Sequence, residues 1–397
     1  MRRMIFRLRS AFPIPEPLPR RALTVPSKNA LPRQTRSSKI QRMNENKNTT
    51  SIPPGTRVLV TGATGFTGSV LTRKLAAAGL KVSAIARKTS RTEHLAGLDI
   101  RWYRGEVFDP QVVAEAASDA DYIFHVAAAF REAKYADDYY RKVHVESTRL
   151  LAEAALKNPS FRRFVHISTM GVHGHIERPP ADEESPFNPG DIYQVTKAEA
   201  DRWLRDFGKA NPLPFTIIRP AAIFGPGDKR LFKLFKMVTW PVFPILGSGK
   251  CLYHLIHVED LTNIIICAAT NPAALGEVFI AGNAEPIPLE SMVRIIGSVF
   301  GKTPRIVRLP VGPFFFMADV CEAVCKPLKI EPPLYRRRVA FYTKDRAFNT
   351  AKLRRLLGYN YVFDNESGLR NTAEWYLKNG WIHRTQEQTG PNQAVRS

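Results

Sequence analysis

Only four cysteines occur in 397 residues: Cys251, Cys267, Cys321 and Cys325. Four in so long a chain make no disulfide framework, and Cys321 and Cys325, spaced to share a helix face, lack clustered histidines at zinc spacing. They read as buried thiols of a reducing compartment, and no metal is expected. Acids are also few: 36 Asp and Glu stand against 58 Lys and Arg, for a formal charge of +22. Residues 1–56 hold twelve of the cations and two of the acids, so +10 of that charge sits in one short segment. With the excess concentrated there and no nucleic-acid motif beside it, no nucleic-acid partner is expected. No apolar run approaches the ~20 residues that span a bilayer. None near the start is clean enough for a secretory signal, and no internal repeat is present.

Residues 1–56 are also proline-rich and bury too little apolar surface to fold. Three readings stand open for them. They form a disordered tail, or Met1 to Arg9, basic and amphipathic, begins a mitochondrial targeting peptide, or Met43 is the true start. The expected location is cytoplasmic, or mitochondrial if the targeting reading holds. Residues 383–397 read as a second disordered tail. The remainder, in a chain 44% apolar, suffices for a full core.

What is present is a glycine turn in the right context. Residues 57–60 are an apolar run that reads as a buried strand. Gly62, Gly65 and Gly68 follow at every third residue, and residues 69–78 carry a helical pattern. Glycine lets backbone turn tightly and approach phosphates, and a helix N-terminus offers free N–H groups to them. Strand, glycine turn and helix together point to a dinucleotide pyrophosphate. The next strand, 81–86, runs into Arg87 and Lys88 where a carboxylate would bind the ribose hydroxyl of NAD. Two cations suit the 2′-phosphate of NADP, so NADP is preferred over NAD.

Tyr193 and Lys197 lie at i and i+4 on a helix predicted over 191–209, so phenol and ammonium share a face. A nearby ammonium favours the phenolate and brings a phenol, ordinarily near pKa ~10, toward the working range. Upstream, 163–169 reads as a fifth strand with hydroxyls at its C-terminal end, where open α/β sheets bind ligands. Residues 122–128 read as a fourth strand ending in small side chains that leave room for a flat ring, and 216–220 as a sixth.

In this order the motifs resemble the extended short-chain dehydrogenase/reductases, in the epimerase/dehydratase and 3β-hydroxysteroid dehydrogenase branch, over about residues 57–382. The resemblance implies a Rossmann doubly wound parallel sheet with a smaller C-terminal α/β substrate-binding lobe. It divides the chain into a nucleotide-binding domain, 57–281, and a lobe, 282–382, that closes over substrate with loops 171–190 and 224–251. It assigns Thr169, Tyr193 and Lys197 to catalysis. To the cofactor it assigns Gly62, Thr64, Gly65, Phe66, Thr67, Gly68, Arg87, Glu106, Val107, Ala127, Ala128, Pro220 and Ile223, together with Tyr193 and Lys197. A small-molecule substrate and a homodimer are the expected partners.

One departure stands out: His144 occupies the place of the family's asparagine, which shapes a relay near the lysine. It either replaces that residue, alters the relay, or is a partly buried structural histidine. Met170 and Gly171 follow Thr169 where dehydratases carry Asp-Glu, which argues against elimination of water. Tyr253 and His254 stand where epimerases place a diphosphate-gripping arginine. His173 reads as a loop residue near the site, within reach of substrate. The apolar stretch 310–324 suits a lipophilic, sterol-like substrate or forms a core helix of the small lobe, and with Arg336 to Arg338 it offers weak membrane-surface contact. The first functional reading is an oxidoreductase on a secondary alcohol or ketone; a nucleotide-sugar epimerase and a non-catalytic dinucleotide-binding regulator are the alternatives.

Overall fold

Short runs of apolar, often β-branched residues alternate with helical stretches, and such a chain builds a parallel sheet covered on both faces. The structure, a computed structural model, describes residues 51–129, 136–325, 327, 332–334, 336–340 and 342–383. The readings of residues 1–50 and of the tail 384–397 lie outside the described residues. Seven strands form the main sheet: β1 (Arg57–Thr61), β2 (Lys81–Ala86), β3 (Ile100–Arg104), β4 (Tyr122–His125), β5 (Arg163–Ile167), β6 (Phe215–Pro220) and β7 (Val278–Ala281). Every pairing is parallel, in the order β3-β2-β1-β4-β5-β6-β7. The order reverses between β1 and β4, and ligands of such sheets bind outside the strand ends at that point.

Side chains alternate across the sheet and feed two cores. On one face Val58, Val60, Phe124 and Val165 pack with Leu71 and Leu75 of α1 (Phe66–Ala77). On the other, Leu59, Ile123, Phe164 and Phe215 pack with Leu151 of α2 (Ser147–Leu156) and Leu204 of α3 (Ile192–Ala210). A third core joins Phe224, Phe235 and Phe243 to Ile296 and Tyr376. The segment 224–251 is not irregular: it carries the helix Phe232–Val238 and the strand Val242–Leu246, which pairs with Arg305–Leu309. The segment 171–190 is pinned by a bridge from Ala181 to Phe348 and by Glu183 Oε1, which accepts the Ile280 N–H at 2.8 Å.

Three expectations need correction. Helix α1 begins at Phe66, not residue 69, because Gly65 serves as its N-cap and the glycine turn flows straight into it. The stretch 310–324 forms α4 (Val311–Cys325), but only Ala318 of it is buried, while Phe316, Met317, Val320 and Val324 are exposed. It is therefore no core helix. An all-round apolar sequence gives no periodic signal to tell the two cases apart. Cys251 and Cys267 are buried thiols as expected, whereas Cys321 and Cys325, on that outlying helix, are half-buried.

Candidate active site

The crevice at the sheet's switch point is built first from glycines. Gly62 adopts φ +73°, and a Cβ there would stand 2.8 Å from the Ala127 backbone, so the turn after β1 lies directly against the residues after β4. A Cβ on Gly68 would come within 2.0 Å of the Gly62 carbonyl oxygen. These contacts bring Gly62, Gly65, Phe66, Thr67, Gly68 and Ala127 to one place. Gly65 caps α1 without a side-chain bond, and Ser69 closes the first rung of the helical ladder onto Gly65 O at 2.9 Å. The N–H groups ahead of it stay outside that ladder, as an anion-binding helix start requires. The cradle has the shape and polarity for a pyrophosphate. Arg87, exposed just past β2, and Glu106 and Val107, just beyond β3, lie on the β1 side of the switch point, where Gly105 N–H meets Ala86 O at 3.1 Å. Pro220 ends β6, and the Ile223 carbonyl accepts from Arg230 at 2.9 Å.

Tyr193 stands in the first turn of α3, which is capped by Asp191 accepting the Gln194 N–H at 2.8 Å. Lys197, one turn on, is 1% exposed, and its Nζ donates to Ile167 O at the end of β5, 2.8 Å away. Burial pulls the lysine pKa from 10.5 down to about 7, with the Asp201 carboxylate pulling the other way. Thr169 follows two residues after Ile167, half-buried, its Oγ1 accepting the Gly171 N–H at 3.1 Å. A Cβ on Gly171 would lie 3.2 Å from Gln194 Nε2, so this turn packs beside the residue that follows Tyr193.

Beneath these groups lies a polar layer that the sequence motifs alone do not reveal. Thr61, His125 and His166 stand in register across β1, β4 and β5, all fully buried. Thr61 Oγ1 accepts the Ala127 N–H at 3.2 Å and lies 2.7 Å from His125 Nδ1. His125 Nε2 lies 3.1 Å from Ser147 Oγ, which donates to Val143 O at 2.6 Å. Burial, reinforced by the nearby Lys197 charge, holds His125, His144 and His166 well below the usual imidazole range, so all three are neutral. Arg219 of β6 is fully buried and pairs both ways with Asp201 of α3, at 2.9 and 2.8 Å. It also donates to Glu183 O at 2.8 Å. An arginine inside an apolar strand requires such a partner, and that requirement was the available signal.

His173 is not a loop residue facing substrate. It is buried, with Nδ1 3.3 Å from Pro186 O and Nε2 3.3 Å from Arg219 Nη1, so both ring nitrogens are engaged by protein. His144, too, is fully buried rather than partly so.

Sheet order and glycine cradle define a doubly wound, dinucleotide-binding type of α/β protein. Residues 58–282 match the NAD dependent epimerase/dehydratase family, and the chain belongs to it. It is 26% identical to the 4-hydroxy-2-methyl-3-oxo-4-farnesyl-3,4-dihydroquinoline-1-oxide ketoreductase of Stigmatella aurantiaca, over 79% of this chain and 94% of that protein. It is 28% identical to the decarboxylating sterol-4-alpha-carboxylate 3-dehydrogenase erg26 of Schizosaccharomyces pombe, over 68% of this chain and 78% of that one. The crystal structure of gox2253 superposes with a TM-score of 0.70 at 26% identity, covering 82% of this chain and 99% of that one. Family and relatives make this chain an NAD-dependent dehydrogenase, reductase or epimerase acting on a small molecule. No helix among the described residues is long and apolar enough to cross a membrane.

Proposed function

We propose that this protein is an oxidoreductase that moves a hydride to or from a secondary alcohol or ketone of a lipophilic, isoprenoid-like molecule. The reading is carried by Lys197, buried on the Ile167 carbonyl one helical turn from Tyr193 at the strand ends of the switch point. A bound nicotinamide dinucleotide supplies the hydride acceptor or donor. Tyr193 holds and passes the proton at the substrate oxygen, Thr169 donates to that oxygen, and Lys197 favours the phenolate and steers the nicotinamide ribose. A phenolate beside the lysine raises the ammonium's pKa in turn, because each charge stabilises the other. The cradle of Gly62, Thr64, Gly65, Phe66, Thr67 and Gly68 holds the pyrophosphate. Glu106, Val107, Ala127, Ala128, Pro220 and Ile223 line the remaining dinucleotide. Arg87 at the exposed end of β2 supports NADP over NAD.

Support for a lipophilic substrate comes from the farnesyl and sterol compounds in the names of the two relatives. It comes also from the outward Phe316, Met317, Val320 and Val324 of α4, which would meet a lipid surface. Residues 282–382, with 171–190 and 224–251, close over the substrate, and the enzyme acts as a cytoplasmic homodimer.

The test is to identify the copurifying dinucleotide by mass spectrometry and follow reduced-nicotinamide absorbance while hydroxysteroids and nucleotide sugars are added. Loosely held NADP that changes redox state with a lipophilic alcohol or ketone is expected. Tightly held NAD, with an isomerised sugar and no net redox change, would make it an epimerase. Tyr193→Phe should cost about 10²- to 10⁴-fold in turnover and leave cofactor affinity nearly intact; full activity in that variant refutes the assignment. Equal efficiency with NAD and NADP removes the NADP preference.

A further inference from the structure

Between the short helix Asp137–Arg141 and α2 the chain makes a π-helical turn, Lys142–Glu146. Such turns shift the face on which the next side chain falls, and they recur at functional sites. Here the turn carries His144 inward, to 0% exposure. Its Nε2 accepts the Ala129 N–H at 3.1 Å. A ring nitrogen that accepts an amide proton carries none of its own, so the neutral ring is protonated on Nδ1. Nδ1 therefore donates to Thr196 Oγ1 at 2.8 Å, and the Thr196 hydroxyl donates to Ile192 O, also 2.8 Å away. The imidazole ring lies between two phenols. It meets Tyr193 at 5.3 Å between centroids with planes at 86°, and Tyr140 at 6.1 Å and 62°.

We propose that His144 is a positioning residue for Tyr193. Its two ring nitrogens clamp the backbone just beyond Ala127 and Ala128 to Thr196 of α3, whose hydroxyl is tied to the first turn at Ile192, and its ring braces the phenol. The inference rests on Tyr193 being the proton-transfer group. Only a side chain with polar atoms on two opposite edges satisfies both partners at once. An asparagine amide reaches the Thr196 side alone, and a glutamine amide reaches the Ala129 side alone. The clamp therefore links the segment along which a nicotinamide would lie to the residue that would pass the proton.

The experiment compares full-length wild type with His144→Gln and His144→Phe. Nitrogen-15 spectra of the wild type, with His144 assigned by its loss in the glutamine variant, should show Nδ1 protonated and Nε2 bare at pH 7. A proton on Nε2 overturns the clamp. In turnover, His144→Phe keeps a ring against Tyr193 but loses both hydrogen bonds. It should lower kcat about 10- to 100-fold, the scale of an ångström-level misplacement, with KM within about twofold. His144→Gln, which regains an acceptor for Ala129, should recover part of the loss. Wild-type kcat in His144→Phe, or no recovery with glutamine, refutes the proposal. If the phenylalanine variant does not fold, Thr196→Val should show the same loss confined to kcat, and unchanged kcat there counts against the clamp. Should the wild type turn over none of the probes, the proton-transfer reading fails by itself. The clamp is then judged by the His144 tautomer and by the Tyr193 ring-carbon signal, assigned through Tyr193→Phe. That signal must shift in His144→Phe; no shift overturns it.

Discussion

Lys197 makes the sharpest prediction, because its burial ties the site to the stability of the whole chain. Its pKa falls from 10.5 to about 7 on burial. Between those values the unfolded chain binds a proton that the folded chain does not, so stability must rise with pH across that window. Well below pH 7 this group adds no pH dependence. At 1.36 kcal/mol per pKa unit, the two titration curves put the gain between pH 6.5 and 9 at about 2.5 kcal/mol. A folded pKa one unit higher reduces it to about 1.4 kcal/mol. Lys197→Met keeps the aliphatic stem and removes the titrating group. It leaves Ile167 O without its 2.8 Å partner, at a cost of about 1–3 kcal/mol that does not vary with pH. The assay is urea unfolding of both proteins, free of cofactor, at pH 6.5 and 9. Other titrating groups are common to both chains, and the neighbouring histidines, held low first by their own burial, stay neutral at both pH values. The stability of wild type minus variant should grow by about 2 kcal/mol from the lower pH to the higher. Parallel pH profiles, or a difference that shrinks, would show that the lysine is not desolvated and would remove the physical basis for the influence on Tyr193 proposed above.

Further outcomes follow from other contacts. Gly68→Ala puts a methyl 2.0 Å from Gly62 O. The helix must move off the turn, at about 1–3 kcal/mol of stability and with a clear loss of dinucleotide affinity by calorimetry; unchanged affinity would mean the cradle is not the binding site. Asp201→Asn leaves the Arg219 guanidinium buried without its counter-charge. It should cost about 3–5 kcal/mol in denaturant unfolding, whereas a surface-like loss below 1 kcal/mol would contradict that burial. His125 and His166 are register neighbours, yet His125 joins Thr61 to Ser147 while neither ring nitrogen of His166 has a hydrogen-bond partner among the described residues. His125→Leu should therefore destabilise by about 1–3 kcal/mol and His166→Leu should be neutral or stabilising; equal losses in thermal unfolding would refute the difference.

Whatever was local could be read in the sequence. The strand, glycine turn and helix that start the fold lie within some twenty residues, and Tyr193 and Lys197 are related by helical spacing alone. Contacts that depend on how distant elements meet were not legible. His144 reaches Thr196 across 52 residues, Glu183 reaches Ile280 across 97, and neither pairing follows from a period. The π turn ahead of α2 adds a further obstacle, because it breaks the 3.6-residue repeat by which an inward face is read. Signals were nonetheless present: His125, His166 and Arg219 stand in largely apolar strands, and polar groups there demand either partners or a reason. The exposed face of α4 failed for the opposite cause, since uniform hydrophobicity carries no direction.

The polar layer also bears on how the two halves of the site keep their spacing. Thr61 ends β1 immediately before Gly62, so whatever fixes Thr61 fixes the start of the glycine cradle. Its oxygen accepts from Ala127, which leaves its hydroxyl proton for His125 Nδ1. His125 must then carry its proton on Nε2 and donate to Ser147, whose hydroxyl ends the chain on Val143 O in the π turn. The next residue is His144, and from it a second chain runs through Thr196 to Ile192, beside Tyr193. The directions of the first chain are set by an amide N–H at Ala127 and a carbonyl at Val143. Those of the second are set by Ala129 and Ile192, so neither can reverse without leaving a buried donor facing a donor. In a low-dielectric interior that arrangement is strongly disfavoured. Cradle and phenol helix are thus joined by hydrogen bonds of fixed sense as well as by apolar packing, which would slide more freely. An uncharged layer suits this role. A charged histidine in either chain would place a proton where an acceptor is required, and burial beside Lys197 keeps both His125 and His144 from taking one.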